Sequence, residues 1–405
     1  MAFDNSSLKL VNLEDDLLEI VERDFVNLYS GTPSRSPIPG GQSAANRALE
    51  SLDISGYARD RSQVLPKEAR GASMLSPYIR HNLLTLKQVY EAVSNAPFKD
   101  RLKYQDELLW QEYARHLYAR IGVRLFDNLR YNANRDSSGA GWETEMLCIK
   151  SVVGELETDG WLVNQARMWL ASHWSVRNDK GWIHGQEEMF RHLIDGSRAA
   201  NLLGWQWSVG AGTGRAYGFA RWQVEKRAPG LCKRCQLRLG CPIQNFPDER
   251  ILKQLPREPL LESDRDLAAT AGPKKPEILS KPRYVLLTID SLGDGDPALM
   301  ANPGIPAVFI FNQMALAKLQ LSAKRISFYL ETLKDLSCRR ELNVFLGDPY
   351  LFATQNPVAI TFAPVPSFKK FTQRAVTYPY PWLVYPHGKS LKSFSAWRGA
   401  ITLSV

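Results

Sequence analysis

The chain has 405 residues, 44% of them hydrophobic, and its 51 lysines and arginines exceed its 42 acidic residues by a net charge of +9. This is the composition of a globular protein long enough for two domains. No run of 18 apolar residues is present and the first ten residues lack the apolar run of a signal peptide, so we expect a soluble, cytoplasmic monomer with no membrane partner. Five cysteines are too few for a disulfide framework, which leaves thiol, metal or redox chemistry.

Most of the positive charge lies near the C-terminal end. The last 125 residues carry +7 of net charge, and the first 280 carry +2. A broad surface for binding a polyanion is therefore not predicted for the first part, where contact with nucleic acid would depend on a local patch.

The first part of the chain, residues 8–246, has helical periodicity. Apolar residues recur every three or four positions in LEDDLLEIVERDFVNLY, LTLKQVYEAV, YQDELLWQEYARHLYARIG and NQARMWLASHWSVR. No segment here alternates as a strand would. Residues 256–280 are rich in proline, glycine and charge, which predicts a linker.

Beyond the linker the pattern changes to short β-branched and aromatic runs. These are RYVLLTID, PAVFIF, NVFLGD, VAITFAP and PWLVYP, with a helical stretch, LSAKRISFYLETLKDLSCRRE, between the second and the third. Short buried strands alternating with helices predict a doubly wound parallel sheet. The first strand is not followed by GxGxxG, so dinucleotide binding is not expected there. Asp290, Asp294 and Asp296 are interpreted as turn and cap residues rather than metal ligands.

The densest motif of the chain is IDGSRAANLLGWQWSVGAGTGRAYGFARWQ, residues 194–223. Either tryptophan of its GWQW alone would fit aromatic core packing. The whole segment resembles the photolyase and cryptochrome family, whose flavin-binding helical domain carries DGD-x-AAN-xx-GWQW-xxx-GTG. Four more segments resemble the family in its own order, over about 200 residues: SGYARDRS, ASMLSPYIRHNLLTLKQV, DELLWQEYARHL and DGWLVNQARM.

The resemblance implies an FAD site. Its members would be Tyr57, Ser73, Met74, Leu75, Ser76, Tyr104, Gln111, Arg167, Asp195, Ser197 and Asn201. Hydroxyls and backbone N–H groups at a helix start, as at Ser73 and Ser76, suit a pyrophosphate. Arg167 and Asp195 should form a buried ion pair under the isoalloxazine, because a lone buried charge is costly. Asn201 has the position that faces flavin N5 in the family.

Three of these positions depart from the family pattern. Met74 and Gln111 stand where the family usually has arginine, and Ser197 replaces the second aspartate of DGD. The first two departures remove positive charge from the expected phosphate site.

The resemblance also implies a pocket for a cyclobutane pyrimidine dimer. Its five positions have the expected residue types here: Glu107, Trp110, Asn164, Met168 and Trp207. Two tryptophan faces would stack on flipped-out pyrimidines, and the two polar side chains could hydrogen-bond the base edges. The alternative is that Trp110 and Met168 are core residues on a helix face. Asn164 argues against repair of (6-4) products, which in the family goes with histidine at this position.

An electron relay to the flavin is implied as well. Trp205 and Trp182 match its first two members. The third is not clear from the sequence, and Tyr131 and Trp142 are both candidates.

Three of the five cysteines lie within ten residues, as Cys232, Cys235 and Cys241. Tetrahedral zinc or an iron–sulfur cluster needs four ligands, and Cys148 is the expected fourth, ahead of His173 or His192. The arrangement is similar to the iron–sulfur bacterial photolyases and cryptochromes, although the interval before the last cysteine is shorter. A four-iron four-sulfur cluster is expected ahead of zinc, and zinc ahead of free thiols. Cys338 is expected to be an ordinary buried thiol.

The C-terminal part resembles the α/β domain that precedes the flavin domain in photolyases. The matching segments are VLLTIDSLGDGDPALMANPGIPAVFIFN and AKRISFYLETLKDLSCRRELNVFLGDP. We therefore expect the two domains in circularly permuted order. The alternative is an unrelated Rossmann-like appendage. No ligands of an antenna chromophore can be identified.

The sequence thus predicts a two-domain protein. Residues 1–255 would form an all-α flavin-binding domain with the iron–sulfur cluster, residues 256–280 a linker, and residues 281–405 a Rossmann-like α/β domain. The implied activity is that of a blue-light-driven DNA photolyase acting on cyclobutane dimers in UV-damaged DNA. The alternatives are a cryptochrome-like photoreceptor without repair activity and a flavin-free DNA-binding relative.

Overall fold

The computed structural model describes residues 8–136, 139, 141–371 and 375–401. Residues 1–7, in which no signal segment was expected, lie outside this description. The chain divides into two compact units. One comprises Met1–Leu52, Leu75–Glu91 and Asp266–Pro386, and the other comprises Asp53–Met74, Ala92–Arg265 and His387–Val405. This division differs from the expected one, in which residues 1–255 form a single helical domain.

Helices predominate up to residue 271 of the described chain, and most of the strands lie beyond it. The strands are β1 Lys9–Leu10, β2 Tyr29–Ser30, β3 Tyr284–Leu287, β4 Ala307–Asn312, β5 Leu321–Ser322, β6 Leu342–Gly347, β7 Val358–Thr361 and β8 Ala375–Tyr378. The first ten α-helices are α1 Leu17–Asp24, α2 Gln42–Glu50, α3 Tyr57–Asp60, α4 Ser76–Arg80, α5 Leu86–Ala92, α6 Phe98–Ile121, α7 Leu147–Asp159, α8 Asn164–Ala171, α9 Trp182–His192 and α10 Arg198–Ser208. The others are α11 Arg221–Arg227, α12 Leu231–Arg234, α13 Pro259–Glu262, α14 Leu267–Ala271, α15 Pro297–Ala301, α16 Gln313–Leu319, α17 Ala323–Ser337, α18 Pro349–Gln355 and α19 Phe394–Arg398.

The first unit, or α/β unit, is built on a six-stranded sheet in the order β1-β6-β4-β3-β7-β8. Its strands from β3 onward pair in parallel and have the order of a doubly wound sheet, as the sequence predicted. Four of the five predicted strands are present. The prediction for PWLVYP was wrong, because the strand that follows β7 is β8, which ends before the prolines of this run. Proline lacks the N–H that a strand inside a sheet must donate.

The N-terminal segment belongs to the α/β unit through very short elements. Strand β1 pairs antiparallel with β6, and β2 pairs in parallel with β5. Helix α1 was predicted and is present; Asp16 caps it by accepting from the N–H groups of Leu18 and Glu19, and it packs against α17. Strands of two residues leave no alternation in a sequence, which explains why the helical pattern of residues 8–52 suggested an all-α domain.

Three smaller predictions can be compared with the structure: the burial of Cys338, the capping role of Asp296 and the linker at residues 256–280. Cys338 follows α17 and is exposed, so the prediction of a buried thiol was wrong. Asp296 caps α15, as interpreted from the sequence. Residues 256–280, expected to form a linker, contain the short helices α13 and α14, and the boundary between the units falls inside them, at Arg265.

The second unit, or helical unit, is organised around the 24-residue helix α6. Helices α10, α3, α13 and α19 pack against it, and α8 packs against both α7 and α10. Within the described residues, no helix is both long and apolar enough to cross a membrane.

Buried ion pairs attach two outlying segments to the helical unit. Arg70 donates from Nη1 and Nη2 to the two carboxylate oxygens of Glu155 on α7, at 2.6 and 2.8 Å, and both side chains are buried. Arg120 on α6 pairs with Asp264 at 3.2 Å and donates to the carbonyls of His387 and Lys389. These contacts hold residues 53–74 and 387–401 against helices that are distant in the sequence.

We predict that Glu155→Ala lowers the free energy of unfolding by about 3–5 kcal/mol, because it leaves the guanidinium of Arg70 buried without its partner. The measurement is urea unfolding followed by circular dichroism. The double variant Arg70→Leu/Glu155→Leu should recover most of the loss, since it removes both charges. An unchanged unfolding midpoint for Glu155→Ala would contradict the prediction.

Candidate functional site

The predicted ion pair between Arg167 and Asp195 is confirmed. Arg167 on α8 donates from Nη2 to Oδ2 of Asp195 at 2.6 Å and from Nε to the carbonyl of Leu162 at 3.0 Å. The Asp195 side chain is 3% exposed and the Arg167 side chain 26%. A carboxylate buried to this degree requires a cation, so the pair fixes α8 against the segment that leads into α10.

Helix α10 places Ser197 and Asn201. Ser197 caps the helix by accepting from the N–H of Ala200, so serine does here what an aspartate could also do. The Nδ2 atom of Asn201 donates to both the backbone and the side-chain carbonyl oxygen of Gln186, each at 3.0 Å. The amide nitrogen is thereby committed, and Oδ1 is the atom of Asn201 left to accept a hydrogen bond.

Three further predicted cofactor residues meet within the helical unit. The rings of Tyr57 and Tyr104 pack edge to face with centroids 4.8 Å apart, and the Tyr104 hydroxyl donates to Oγ of Ser73 at 2.9 Å. Burial raises the pKa of Tyr104 to about 12 and that of Tyr57 further. Both phenols therefore stay neutral at physiological pH.

The predicted phosphate segment continues through Met74, which has a positive φ of 57° and an exposed side chain. Leu75 is buried and Ser76 begins α4, and both belong to the α/β unit. Gln111 is half-buried on α6. The predicted cofactor residues thus come from both units.

The five predicted lesion-pocket residues lie on three helices of the helical unit. Glu107 and Trp110 are on α6, Asn164 and Met168 on α8, and Trp207 on α10. Helix α10 packs against both of the others. None of the five is buried; three are half-buried, and Asn164 and Trp207 are exposed. The interpretation of Trp110 and Met168 as core residues is therefore not favoured.

Contacts around these five residues are local. Nδ2 of Asn164 lies 3.7 Å from the sulfur of Met168, one helical turn away. The ring of Trp207, 44% exposed, lies against Tyr217 with centroids 5.7 Å apart. Glu107 forms ion pairs with Lys103 at 2.8 Å and Arg61 at 3.5 Å. The aromatic face of Trp207 is thus held in place while remaining accessible.

The predicted relay tryptophans are both buried. Trp182 donates from Nε1 to Oδ1 of Asn128 at 2.9 Å, whereas the indole N–H of Trp205 has no hydrogen-bond partner within the described part of the chain. Of the two candidates for the third position, Trp142 packs edge to face on Trp174 with centroids 5.2 Å apart. Tyr131 lies against Gly214 instead.

Trp174 was not singled out from the sequence. A Cβ atom added to Gly185 would lie 2.4 Å from Cη2 of Trp205 and 2.8 Å from Cδ1 of Trp174, so the two indoles are neighbours across this glycine. Trp205, Trp174 and Trp142 thus form a line of aromatic rings, and Trp142 is half-buried at its end. Because Trp174, Gly185 and Trp205 are far apart in the sequence, their contact could not be predicted from it.

The four cysteines expected to share one centre line a single cavity. Cys148 lies on α7 and Cys232 on α12, and Cys235 and Cys241 follow in the next loop. The cavity is also lined by Met146, Arg221, Leu231, Arg238 and Ile243. Cys148 is therefore brought to the other three, and Arg221 and Arg238 are lining residues that the sequence did not reveal.

The electrostatics of this cavity combine thiols with arginines. Burial raises the pKa of Cys148 to about 12 and also raises the pKa of Cys232. Among the described residues, no group of three or more Cys, His, Asp and Glu side chains is arranged to hold a single metal ion. The four thiols thus share a cavity with two arginines, Arg221 and Arg238.

Comparison with known proteins gives a match in this unit. Residues 103–226 match the family model "FAD binding domain of DNA photolyase". Deoxyribodipyrimidine photo-lyases of Synechococcus sp. and Thermus thermophilus are 29% and 30% identical over 192 residues, which is 43% and 44% of this chain. A solved cryptochrome of Synechocystis sp. overlaps with 49% of this chain and 46% of its own at 19% identity, with a TM-score of 0.43.

The match spans only part of each relative. The aligned region covers 39% of the Synechococcus protein and 45% of the Thermus thermophilus protein, less than half of either curated relative. The family match includes most of α6 and all of α7 to α10, and with them the Arg167–Asp195 ion pair and the five predicted lesion-pocket residues. Residues 103–226 are thus similar to the FAD binding domain of DNA photolyases.

Proposed function

We propose that this protein is a blue-light-driven DNA photolyase that splits cyclobutane pyrimidine dimers in UV-damaged DNA. The observation that carries the proposal is that five residues of the expected types, none of them buried, lie on three helices of which α10 packs against the other two: Glu107, Trp110, Asn164, Met168 and Trp207. Large apolar side chains are normally buried, so two accessible tryptophans and a methionine beside two polar residues indicate a binding surface.

In this proposal each of the five residues binds the lesion. The exposed face of Trp207 and the half-buried Trp110 offer stacking surfaces to bases that have left the duplex. Asn164 and Glu107 supply a donor and an acceptor for the base edges, and Met168 adds an adaptable apolar contact. The chain therefore binds and orients the dimer.

The cofactor in the proposal is FAD, and the residues of the helical unit fit it. FAD in its reduced form supplies the excited electron that opens the cyclobutane ring and then returns. The Asn201 amide, fixed through Nδ2 on Gln186, presents Oδ1 to a donor such as N5–H. The Arg167–Asp195 ion pair, whose opposite charges cancel, would lie beneath the flavin ring. The buried indole N–H of Trp205 has no hydrogen-bond partner in the described chain, so it suits a polar group of the cofactor.

Electrons for reducing the flavin are proposed to enter through tryptophans. Trp205 and Trp182 were expected for this role, and Trp174 and Trp142 extend the line of indoles from Trp205 to a half-buried end. This line favours Trp142 over Tyr131 as the third member.

The cysteine cavity is proposed to hold a four-iron four-sulfur cluster. Cys148, Cys232, Cys235 and Cys241 line one cavity, and four thiolates are the ligand set that such a cluster takes. With no histidine among the described residues that line this cavity, the ligand set favours the cluster over zinc.

The α/β unit is proposed to correspond to the family's α/β domain in permuted order. The five parallel strands of its sheet lie in residues 284–378, after the helices that match the flavin domain.

A cryptochrome-like photoreceptor without repair activity is the second candidate function. The observation that favours it is the pairing of Glu107 with Lys103 and Arg61, which occupies the carboxylate expected to bind the lesion. Such a protein would bind and photoreduce flavin without binding the dimer.

Illuminating the reduced, flavin-loaded protein with a dimer-containing oligonucleotide tests the proposed function. We expect the dimer to be restored to monomeric pyrimidines, measured by chromatography of the digested DNA. Unchanged dimer after prolonged blue light, with flavin bound, would reject repair and favour the photoreceptor.

We predict that Trp207→Ala weakens binding of the dimer-containing oligonucleotide by about 1–3 kcal/mol, or roughly 5- to 150-fold, because one base loses its stacking partner. Binding is measured in the dark by fluorescence anisotropy at fixed ionic strength. Trp222→Ala is the matched control, since Trp222 is exposed on α11 outside the proposed pocket. Equal losses for both variants would contradict a role for Trp207.

We predict that Arg167→Gln lowers both stability and flavin content, because it leaves Asp195 buried without its cation. The expected loss is about 3 kcal/mol in the free energy of unfolding. Arg167→Gln/Asp195→Asn should regain stability without regaining full flavin binding. A stable Arg167→Gln protein that keeps the full flavin absorbance of the wild type would contradict the proposed site.

We predict that Cys148→Ser removes the cluster. The wild type, purified without oxygen, should contain about four irons and show broad brown absorbance, and the variant should lose most of both. Cys338→Ser is the matched control because this thiol is exposed in the α/β unit. If the wild type contains one equivalent of zinc and shows no broad absorbance, the site binds zinc and not a cluster. If it contains neither iron nor zinc, the four cysteines are free thiols.

A further inference from the structure

Two arginines hold the loop that carries the last cysteine. Arg177 ends the π-helical turn Ser172–Arg177, which directly follows α8. Its Nη1 donates to the carbonyl of Pro242 at 3.0 Å, and its Nη2 donates to the carbonyls of Asn245 at 2.7 Å and Phe219 at 2.8 Å. One guanidinium thus ties the residues on the C-terminal side of Cys241 to the helical unit.

Arg221, the first residue of α11, binds the same loop from another side. Its Nη1 donates to the carbonyl of Arg238 at 2.8 Å and to Oε1 of Gln244 at 3.3 Å. Its backbone N–H donates to the carbonyl of Ile243, and its Nε to Glu225 at 3.0 Å. Arg177 and Arg221, together called the arginine clamp, therefore fix the backbone on both sides of Cys241.

The clamp also places positive charge beside the thiols. Arg221 lines the cysteine cavity and interacts electrostatically with Cys232 and Cys241, and Arg177 does so with Cys241 and Cys148. The Nε atom of Arg177 is buried and, within the part of the chain that the structure describes, has no hydrogen-bond partner. A buried N–H donor without an acceptor is costly, so this N–H is available to an acceptor that the described chain does not supply.

We infer that the arginine clamp is part of the metal centre: Arg177 and Arg221 position Cys241 and stabilise the negative charge of a cluster held by the four thiolates. The inference rests on the cluster assigned under the proposed function. Four thiolates give the centre a net negative charge, and hydrogen bonds and charges near the sulfurs set its reduction potential. A guanidinium is suited to this double role because it remains charged and can bind two carbonyls at once.

The test compares Arg177→Gln, Arg221→Gln and Arg177→Lys with the wild type, each as the full chain purified without oxygen. Arg250→Gln is the control, because Arg250 is an exposed arginine of the helical unit that pairs with the exposed Asp179. Iron and acid-labile sulfide are measured per folded chain, with folding checked by circular dichroism. Retention of iron is followed against an iron chelator, and the reduction potential is determined on the loaded fraction by titration with dithionite.

Both glutamine variants are expected to release iron at least about 10-fold more readily than the wild type, as for other residues that support metal ligands. Their remaining clusters should have a lower reduction potential, since the reduced form carries one more negative charge. Arg177→Lys should have a reduction potential closer to that of the wild type than Arg177→Gln has, because lysine restores the positive charge. It should still release iron more readily than the wild type, because an ammonium group does not reproduce the several hydrogen bonds of the guanidinium.

The outcomes separate the clamp from the cluster. Wild-type iron retention and potential in both glutamine variants would overturn the clamp while leaving the cluster in place. A wild type without iron would overturn the cluster and the clamp together. Neither measurement uses light or DNA, so repair activity is tested independently.

Discussion

The helical unit depends on the rule that a buried charge must be paired. Its main ion pairs join Arg70 to Glu155, Arg120 to Asp264 and Arg167 to Asp195, and in each the carboxylate is almost completely buried. Breaking such a pair leaves an isolated charge in a medium of low polarity, which costs far more than an exposed pair contributes. Each pair therefore fixes where two segments that are remote in the sequence must meet. The third pair also forms the floor of the proposed flavin site, so one constraint serves both folding and binding.

The sequence predicted those features that recur periodically or as motifs. Buried β-branched runs predicted four strands of the sheet, and periodicity predicted α1 and α17. The assignment of residues 8–52 could not be predicted, because β1 and β2 have two residues each and depend on partners about 290 residues or more away. PWLVYP failed for the opposite reason: its composition is that of a strand, but its prolines cannot join a ladder of hydrogen bonds.

The candidate site shows the same division. The family resemblance suggested Asn164 and Met168 as pocket residues and placed Arg167 and Asp195 in the flavin site, where the cost of a lone buried charge predicted an ion pair. Trp174, in contrast, looks like one more core aromatic in a helix until Gly185 brings it beside Trp205. Likewise, no pattern of four cysteines indicates that arginines line the same cavity. Relations between residues on different helices are decided by packing, which a single sequence does not display.

The position of Arg177 links the two candidate centres of the helical unit. Helix α8 carries Asn164, Arg167 and Met168, and it runs without interruption into the π-helical turn that ends at Arg177. π-Helical turns are rare and are found frequently at functional sites. Here the turn directs Arg177 to the carbonyls around Cys241. A centre bound by the cysteines would therefore hold the end of the helix that orients the proposed lesion pocket. It would stabilise that pocket through rigid backbone contacts, without having to take part in electron transfer to the DNA.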